Sequence, residues 1–124
     1  MRTNPAKLGA ILAFLAVGLG AFGTHALDGT VTPERLETFG TAVRYQMYHA
    51  LGLLILTSLP IKARRATWPL FLGSVIFSGS LYLLVLTDTS WLGAVAPIGG
   101  ALMLAGWAIL FFSLGDSNID SGSL

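Results

Sequence analysis

The polar side chains most able to bind a ligand or take part in a reaction lie at the start of one apolar stretch, TAVRYQMYHALGLLIL, at residues 41–56. A guanidinium, a carboxamide, two phenols and an imidazole lie there between Arg44 and His49. A guanidinium can hold a phosphate or carboxylate through paired hydrogen bonds, and an imidazole can bind a metal or assist a nucleophile. Because polar and ionisable side chains within an apolar segment are costly, function is the first hypothesis for them.

Catalytic and metal-binding roles lack the partner residues that they require. A hydrolytic triad needs a carboxylate to orient a histidine beside a serine, and the apolar segments contain no carboxylate. His25 and His49 would be the ligands of a haem, but no His-x-x-x-His or Cys-x-x-Cys spacing supports that alternative. The chain has no cysteine, which excludes disulfides and thiolate chemistry. We therefore predict a non-enzymatic protein without a metal or cofactor.

The composition places these residues in a membrane protein. The 124 residues are 54% hydrophobic and 10% charged, and the net charge of +1 does not supply the basic surface of a nucleic-acid-binding protein. Four windows between the charges are long enough for a spanning helix of about 20 residues. We predict a single all-α domain, an integral membrane four-helix bundle with a polar C-terminal tail at residues 115–124. The predicted spans are residues 8–27, 45–61, 67–87 and 90–114.

The distribution of Lys and Arg predicts the orientation of the spans, because basic residues near helix ends favour the cytoplasmic side. Most of them lie on the side of the two termini: Arg2, Lys7, Lys62, Arg64 and Arg65, against Arg35 and Arg44 on the other side. We therefore predict that both termini are cytoplasmic. The first span also has the basic start of a signal peptide, but its cleavage site, at residues 24–26, is poor, so we retain it as a helix.

The polar stretch continues a helical pattern that begins before the second span. Thr32 can cap a helix with Pro33 at its first position, and residues 33–54 then separate into a polar and an apolar face without a break. We predict an amphipathic segment at the outer surface that leads into helix two. Arg44 would lie at the outer boundary, with His49 about 7 Å beneath it. In helix four, we expect Pro97 to cause a bend near the outer end.

The first and third helices add polar side chains at a similar depth, so we predict a polar cluster in the outer leaflet. Its candidate members are His25, Arg44, Tyr45, Gln46, Tyr48, His49, Ser78 and Tyr82. Two uses remain open, namely hydrogen bonds that hold the helices together and the binding of a lipid head group or small ligand. Because Arg44 would lie on the polar face at the boundary, we expect Arg44→Ala to disturb folding more than Arg35→Ala.

Four segments resemble a known family: GAFGTHAL (20–27), TPERLETFGTAVRYQMYHALGLL (32–54), FSGSLYLL (77–84) and WLGAVAPIGGALMLAGW (91–107). Through them the chain resembles domain-of-unknown-function family 423, small bacterial inner-membrane proteins, and is similar to vertebrate transmembrane protein 256. The resemblance implies a four-helix topology in the bacterial inner membrane and no established activity. Among its signature positions, those expected to serve helix packing are Gly20, Gly23, Gly79, Pro97 and Gly99.

These observations predict a small polytopic membrane component or accessory subunit. Because a chain of this size encloses little interior, we expect it to act as a homo-oligomer or within a larger assembly in the lipid bilayer. The alternative is a binding or transport protein whose polar cluster holds a lipid head group or small ligand, with Arg44 on the anionic group.

Overall fold

The chain folds into α-helices joined by short segments. A computed structural model describes residues 4–121, apart from the side chains of Thr24 and of residues 116–121. Its α-helices are α1 (Pro5–Phe22), α2 (Pro33–Leu56), α3 (Thr67–Thr87) and α4 (Ala96–Ser121). A π-helical turn extends α1, and 3₁₀ turns precede α3 and α4: Gly23–Leu27, Ile61–Ala66 and Ser90–Ala94. The prediction of an all-α chain with four helices is confirmed.

Local signals in the sequence set the ends of α2. The Oγ1 of Thr32 accepts a hydrogen bond from the backbone N–H of Arg35 at 3.1 Å, and Pro33 occupies the first turn, as the sequence predicts. Before this cap, Gly29 has a φ of 88°, a left-handed conformation that glycine adopts without steric cost. From Pro33 the helix continues without interruption to Leu56, so the polar stretch and the apolar stretch belong to one element.

The start of α4 differs from the expectation drawn from the sequence. Pro97 does not bend the helix, because α4 begins at Ala96 and places Pro97 in its first turn, where a backbone N–H has no intrahelical partner. At the other end, the segment predicted as a polar tail is helical as far as Ser121, and residues 122–124 lie outside the described part of the chain.

Each helix packs in the antiparallel direction against its neighbour in sequence, so the four form a row. α1 packs along α2, α2 along α3 and α3 along α4, whereas α1 and α3 touch at few positions. The contact between α1 and α4 that would close a bundle is not among the close packings of the described residues. Small residues permit the close approach of α3 and α4, because a Cβ added to Gly99 would lie 2.7 Å from the carbonyl oxygen of Gly73.

The row has two distinct ends. The loop end carries the connections at residues 28–32 and 88–95, and the ring of Phe39 is the largest side chain in its core. The basic end carries the α2–α3 connection with its Lys and Arg residues, and its core contains Leu53, Leu56 and Leu70. α1 and α3 therefore run from the basic end to the loop end, and α2 and α4 run in the opposite direction.

Three segments of the described chain are long and apolar enough to cross a membrane, judged by length and composition: Pro5–Leu27, Ile61–Thr87 and Ser90–Gly115. The α2 helix is not one of them, although its 24 residues make it as long as its neighbours. Its first half holds four charged residues, Glu34, Arg35, Glu37 and Arg44. The one helix of mixed composition is thus also the helix that supplies most of the predicted polar cluster.

Candidate functional site

Half of the residues predicted to form the polar cluster meet inside the row of helices, where a tryptophan joins them. The members of this interhelical cluster are Gln46, His49, Ser78, Tyr82 and Trp107. Their hydrogen bonds connect α2 with all three of the other helices. The cluster is therefore centred on α2, whose sequence carries the polar groups, and its partners come from both sides of the row.

Gln46 links three helices through the two ends of its carboxamide. Its Nε2 donates to the carbonyl oxygen of Leu12 in α1 at 2.7 Å, and its Oε1 accepts from the hydroxyl of Tyr82 in α3 at 2.6 Å. The side chain is only 4% exposed, so water does not compete for these bonds. A carboxamide is suited to this place because it offers a donor and an acceptor without a charge.

Ser78 and Tyr82 present the α3 side of the cluster, one turn apart. The Oγ of Ser78 donates to the carbonyl oxygen of Ala42 in α2 at 2.7 Å. Ser78 and Ala42 are both almost fully buried. The ring of Tyr82 also packs against Phe39, with 5.1 Å between the ring centroids. Because an apolar helix gains little from leaving lipid for a neighbouring helix, such bonds and close contacts hold α2 and α3 together.

His49 is fixed in one neutral tautomer by its two partners. The Nδ1 atom lies 2.7 Å from the carbonyl oxygen of Tyr45, which can only accept, so Nδ1 carries the proton. The indole N–H of Trp107 in α4 donates to Nε2 at 3.0 Å, so Nε2 is unprotonated. If the imidazole were protonated, the N–H at its Nε2 would point at the indole N–H of Trp107. Since both ring nitrogens are engaged, His49 has no free nitrogen for a metal or haem.

The remaining predicted members lie outside this interhelical cluster. His25 is exposed in the π-helical turn at the loop end, and among the described residues it has no hydrogen-bond partner. Nearby Gly23 packs against Phe39, and His49 lies ten residues farther along α2, about 15 Å at 1.5 Å per residue. The structure therefore does not bring the two histidines together. The sequence estimate put them at similar depths because it took Arg44 to mark the membrane boundary.

Arg44, Tyr45 and Tyr48 face outward from α2. The Nη2 of Arg44 donates to the Oγ1 of Thr41 at 3.1 Å, a contact within the same helix. Tyr45 packs its ring against Phe77, with 4.9 Å between the centroids, while Tyr48 is 54% exposed. Arg44 and Tyr48 therefore point away from Gln46 although they belong to the same stretch, because a helix turns by about 100° at each residue. The ring of Tyr45, by contrast, stacks beside that of His49.

A lipid-facing groove of about 460 Å³ separates α2 from α4 beside His49. Aromatic rings dominate its walls, and its lining is Tyr45, His49, Phe77, Pro97, Gly100, Ala101, Met103, Leu104 and Trp107. Trp107 and His49, which are joined by a hydrogen bond, both line this groove. Pro97, expected from the sequence to take part in helix packing, lies here at the surface of the groove.

The glycines expected to serve helix packing differ in their surroundings. A Cβ added to Gly23 would lie 2.7 Å from the ring of Phe39, and one added to Gly20 would lie 3.4 Å from Val43. Gly99 makes the backbone contact with α3 described above. At Gly79, by contrast, an added Cβ would meet no described atom within 4 Å. Gly23 and Gly99 therefore lie at close helix contacts, and Gly79 does not.

Two interacting residues were missed or misjudged from the sequence. In the sequence, Trp107 cannot be distinguished from other tryptophans of membrane helices. The structure places it opposite Gly52 and His49, where its indole N–H donates to His49. Arg35, expected from the sequence to matter less for folding than Arg44, forms an ion pair with Asp88 at 3.0 Å and donates to the Oγ of Ser90. These contacts join the start of α2 to the residues that follow α3, whereas the hydrogen bond of Arg44 to Thr41 stays within α2.

Comparison with known proteins identifies a matching family model and similar membrane proteins. Residues 19–100 match the family model described as "Protein of unknown function (DUF423)". A UPF0382 membrane protein of Staphylococcus haemolyticus is 48% identical over 110 residues, covering 86% of this chain and 90% of the relative. The UPF0382 membrane protein YwdK of Bacillus subtilis is 47% identical over 109 residues, covering 83% of this chain and 89% of the relative. No solved structure matches the chain.

Proposed function

Because the chain belongs to the DUF423 family of membrane proteins of unknown function, we propose that it is a non-enzymatic component of the membrane that acts as a homo-oligomer or as a subunit of a larger assembly. The observation that supports this proposal is that the buried polar side chains form hydrogen bonds between helices. Gln46 and Ser78 donate to carbonyl oxygens of neighbouring helices, whereas His49 donates to Tyr45 of its own helix and accepts from Trp107 in α4. These bonds hold the helices of the chain together, which is the role expected of structural polar groups in a membrane protein.

The packing of the helices supports association with other copies or proteins. A row of helices leaves both of its faces open to the surroundings, and many large side chains on α1 and α4 are exposed, such as Phe14 at 78% and Phe111 at 69%. Lipid can cover these apolar residues. It is poorly suited to cover the charged side chains on α2, because charge is costly within the hydrocarbon region.

The proposal includes a topology in which α2 crosses the bilayer together with the other helices and both termini face the cytoplasm. Support for the crossing comes from the packing of α2 along α1 and α3. The Lys and Arg residues of the basic end support the orientation. Fusing alkaline phosphatase or a fluorescent protein after Leu124 tests it: the fluorescent fusion should be active and the phosphatase fusion inactive. Phosphatase activity would refute this orientation.

Native mass spectrometry of the protein released from mild detergent tests the assembly itself. We expect a discrete homo-oligomer, or a complex with another membrane protein when the protein is purified at its natural abundance. A strictly monomeric protein under both conditions would refute the proposal. The same spectra report any lipid, metal or cofactor that remains bound.

A second candidate function is binding of an anionic lipid head group, and the exposed guanidinium of Arg44 favours it. Among the described residues, the group donates to one hydroxyl and has no carboxylate beside it, so it retains N–H groups for a phosphate. In native mass spectra, phosphatidylglycerol should stay bound to the wild type and be lost from Arg44→Gln. Equal retention of the lipid by both proteins would refute this function.

A further inference from the structure

The groove between α2 and α4 has the length and the width of a single hydrocarbon chain. It extends along α4 from Pro97 to Trp107, about 15 Å at 1.5 Å per residue. A volume of about 460 Å³ over that length gives a cross-section of about 30 Å², or about 5 to 6 Å across. Carbon atoms in contact lie about 3.5 to 4.0 Å apart, so the groove takes one chain of methylene groups in single file.

The walls of the groove are built from rings that pack on one another, and one end is closed. The ring of Tyr45 packs against Phe77 at 4.9 Å and beside His49 at 6.4 Å, measured between centroids. His49 in turn packs against Trp107 at 5.7 Å. At the basic end the indole of Trp107 reaches α2, where a Cβ added to Gly52 would lie 3.0 Å from it. A hydrocarbon chain that enters from the loop end therefore stops at Trp107.

The guanidinium of Arg44 is turned toward the loop end and toward the side of the groove. Its Nη2 donates to the Oγ1 of Thr41, and a Cβ added to Gly40 would lie 3.3 Å from its Nη1. Thr41 precedes Tyr45 by four residues, so both lie on the same side of α2. The guanidinium is thus held about one turn above Tyr45, which lines the groove.

The open end of the groove lies at the level of this guanidinium. α2 and α4 run in the same direction, and the bond from Trp107 to His49 aligns them. Thr41 comes eight residues before His49, so it is level with the start of α4, eight residues before Trp107. From Pro97 the chain has no charge until Asp116, a length of about 28 Å, close to the thickness of a hydrocarbon layer of about 30 Å. When this part of α4 spans the layer, a guanidinium beside Thr41 lies among the lipid head groups.

We propose that the groove holds an acyl chain of the anionic phospholipid whose phosphate binds Arg44. The inference rests on the head-group binding proposed above as the second function, and it adds the position of the rest of the lipid. One chain runs from the guanidinium along the groove to Trp107, and the other chain stays among the surrounding lipids. Carbon–carbon bonds of about 1.5 Å advance an extended chain by about 1.25 Å per carbon, so the groove covers about 12 carbons.

The charge and the shape favour a phospholipid over other occupants. A basic group at the open end followed by apolar walls matches the order of phosphate and hydrocarbon in a lipid that enters from the loop side. A helix of a second copy does not fit, because an α-helix with its side chains is about 10–12 Å in diameter.

Two glycines provide a matched test of the groove. Gly100 lines it and Gly79 does not, and at both positions, which are half-buried, an added Cβ would meet no described atom within 4 Å. Titration with phosphatidylglycerol in mild detergent, followed by native mass spectrometry, gives an apparent Kd for each variant. Gly100→Leu should raise this Kd at least about tenfold, because the new side chain takes the place of the acyl chain. Gly79→Leu should bind as the wild type does.

Photolabelling of the wild type decides the matter if Gly100→Leu does not fold. Phosphatidylglycerol with a diazirine at about carbon 12 of one chain should label Leu104 and Trp107, at the closed end of the groove, and Arg44→Gln should lose this labelling. Equal labelling of the exposed residues Phe14 and Phe111 would overturn the inference.

The outcomes separate the groove from the head group. If Gly100→Leu folds and binds phosphatidylglycerol as tightly as the wild type while Arg44→Gln does not, the groove is refuted and the head-group site stands. A Gly100→Leu protein that keeps the lipid but loses its oligomeric state would assign the groove to a second copy and would also refute the inference. A wild type that binds no phosphatidylglycerol would overturn both the groove and the head-group site.

Discussion

Replacing Gln46 by leucine removes two interhelical hydrogen bonds at once, to Leu12 at 2.7 Å and from Tyr82 at 2.6 Å. Interhelical hydrogen bonds in membrane proteins contribute about 0.6 kcal/mol on average and about 1.7 kcal/mol at most. The loss of two should lower the free energy of unfolding by about 1 to 3 kcal/mol. Tyr82→Phe removes one of these bonds and should cost about half as much.

Unfolding by sodium dodecyl sulfate in mixed micelles, followed by circular dichroism, measures these differences. Met47→Leu provides a control on the same helix, since it changes a neighbouring side chain without removing a hydrogen bond. In the double variant Gln46→Leu with Tyr82→Phe, the losses should not add, because both changes remove the same bond. A Gln46→Leu protein as stable as the control, or strictly additive losses, would refute the assignment of this residue as a link between helices.

Other predictions concern separate contacts. His49→Gln should retain most of the stability and His49→Leu should lose about 1 kcal/mol, because an amide can donate and accept in place of the imidazole; equal losses in detergent unfolding would contradict this. At dilutions where the chain is monomeric, Arg35→Ala should lower the unfolding free energy by up to about 1 kcal/mol while Arg44→Ala leaves it unchanged, the reverse of the order expected from the sequence. Gly99→Ala should lower the melting temperature measurably, because its new methyl group would meet the backbone of α3, whereas Gly79→Ala should not.

Much of the fold follows from local rules that the sequence displays directly. The cap at Thr32 and the unbroken pattern of residues 33–54 predicted a helix that the structure extends to Leu56. The sequence does not indicate in the same way which residues of neighbouring helices lie at the same level. The level of a residue relative to other helices depends on its partners there, and the ion pair of Arg35 with Asp88, which aligns α2 with α3, is not apparent from the charge pattern.

The candidate site was likewise predicted in part. Gln46, His49, Ser78 and Tyr82 were selected because polar side chains in apolar helices require partners, and the structure provides those partners. His25 was grouped with them on an estimated depth, which carries no information about the direction of the side chain. Trp107 could not be selected from its residue type, because tryptophan is common in membrane helices for other reasons.

The row of helices has a consequence for how the protein is made. Each extensive contact between two α-helices joins helices that are adjacent in sequence, while α4 also packs on the 3₁₀ turn Ile61–Ala66, which precedes α3. Every helix can therefore dock as soon as the next one leaves the ribosome and enters the bilayer. Contacts between segments close in sequence also form fast, because little chain entropy is lost in bringing them together. The last helix, α4, then completes the packing, because Ile109 and Leu110 cover the core at the basic end and Trp107 donates to His49.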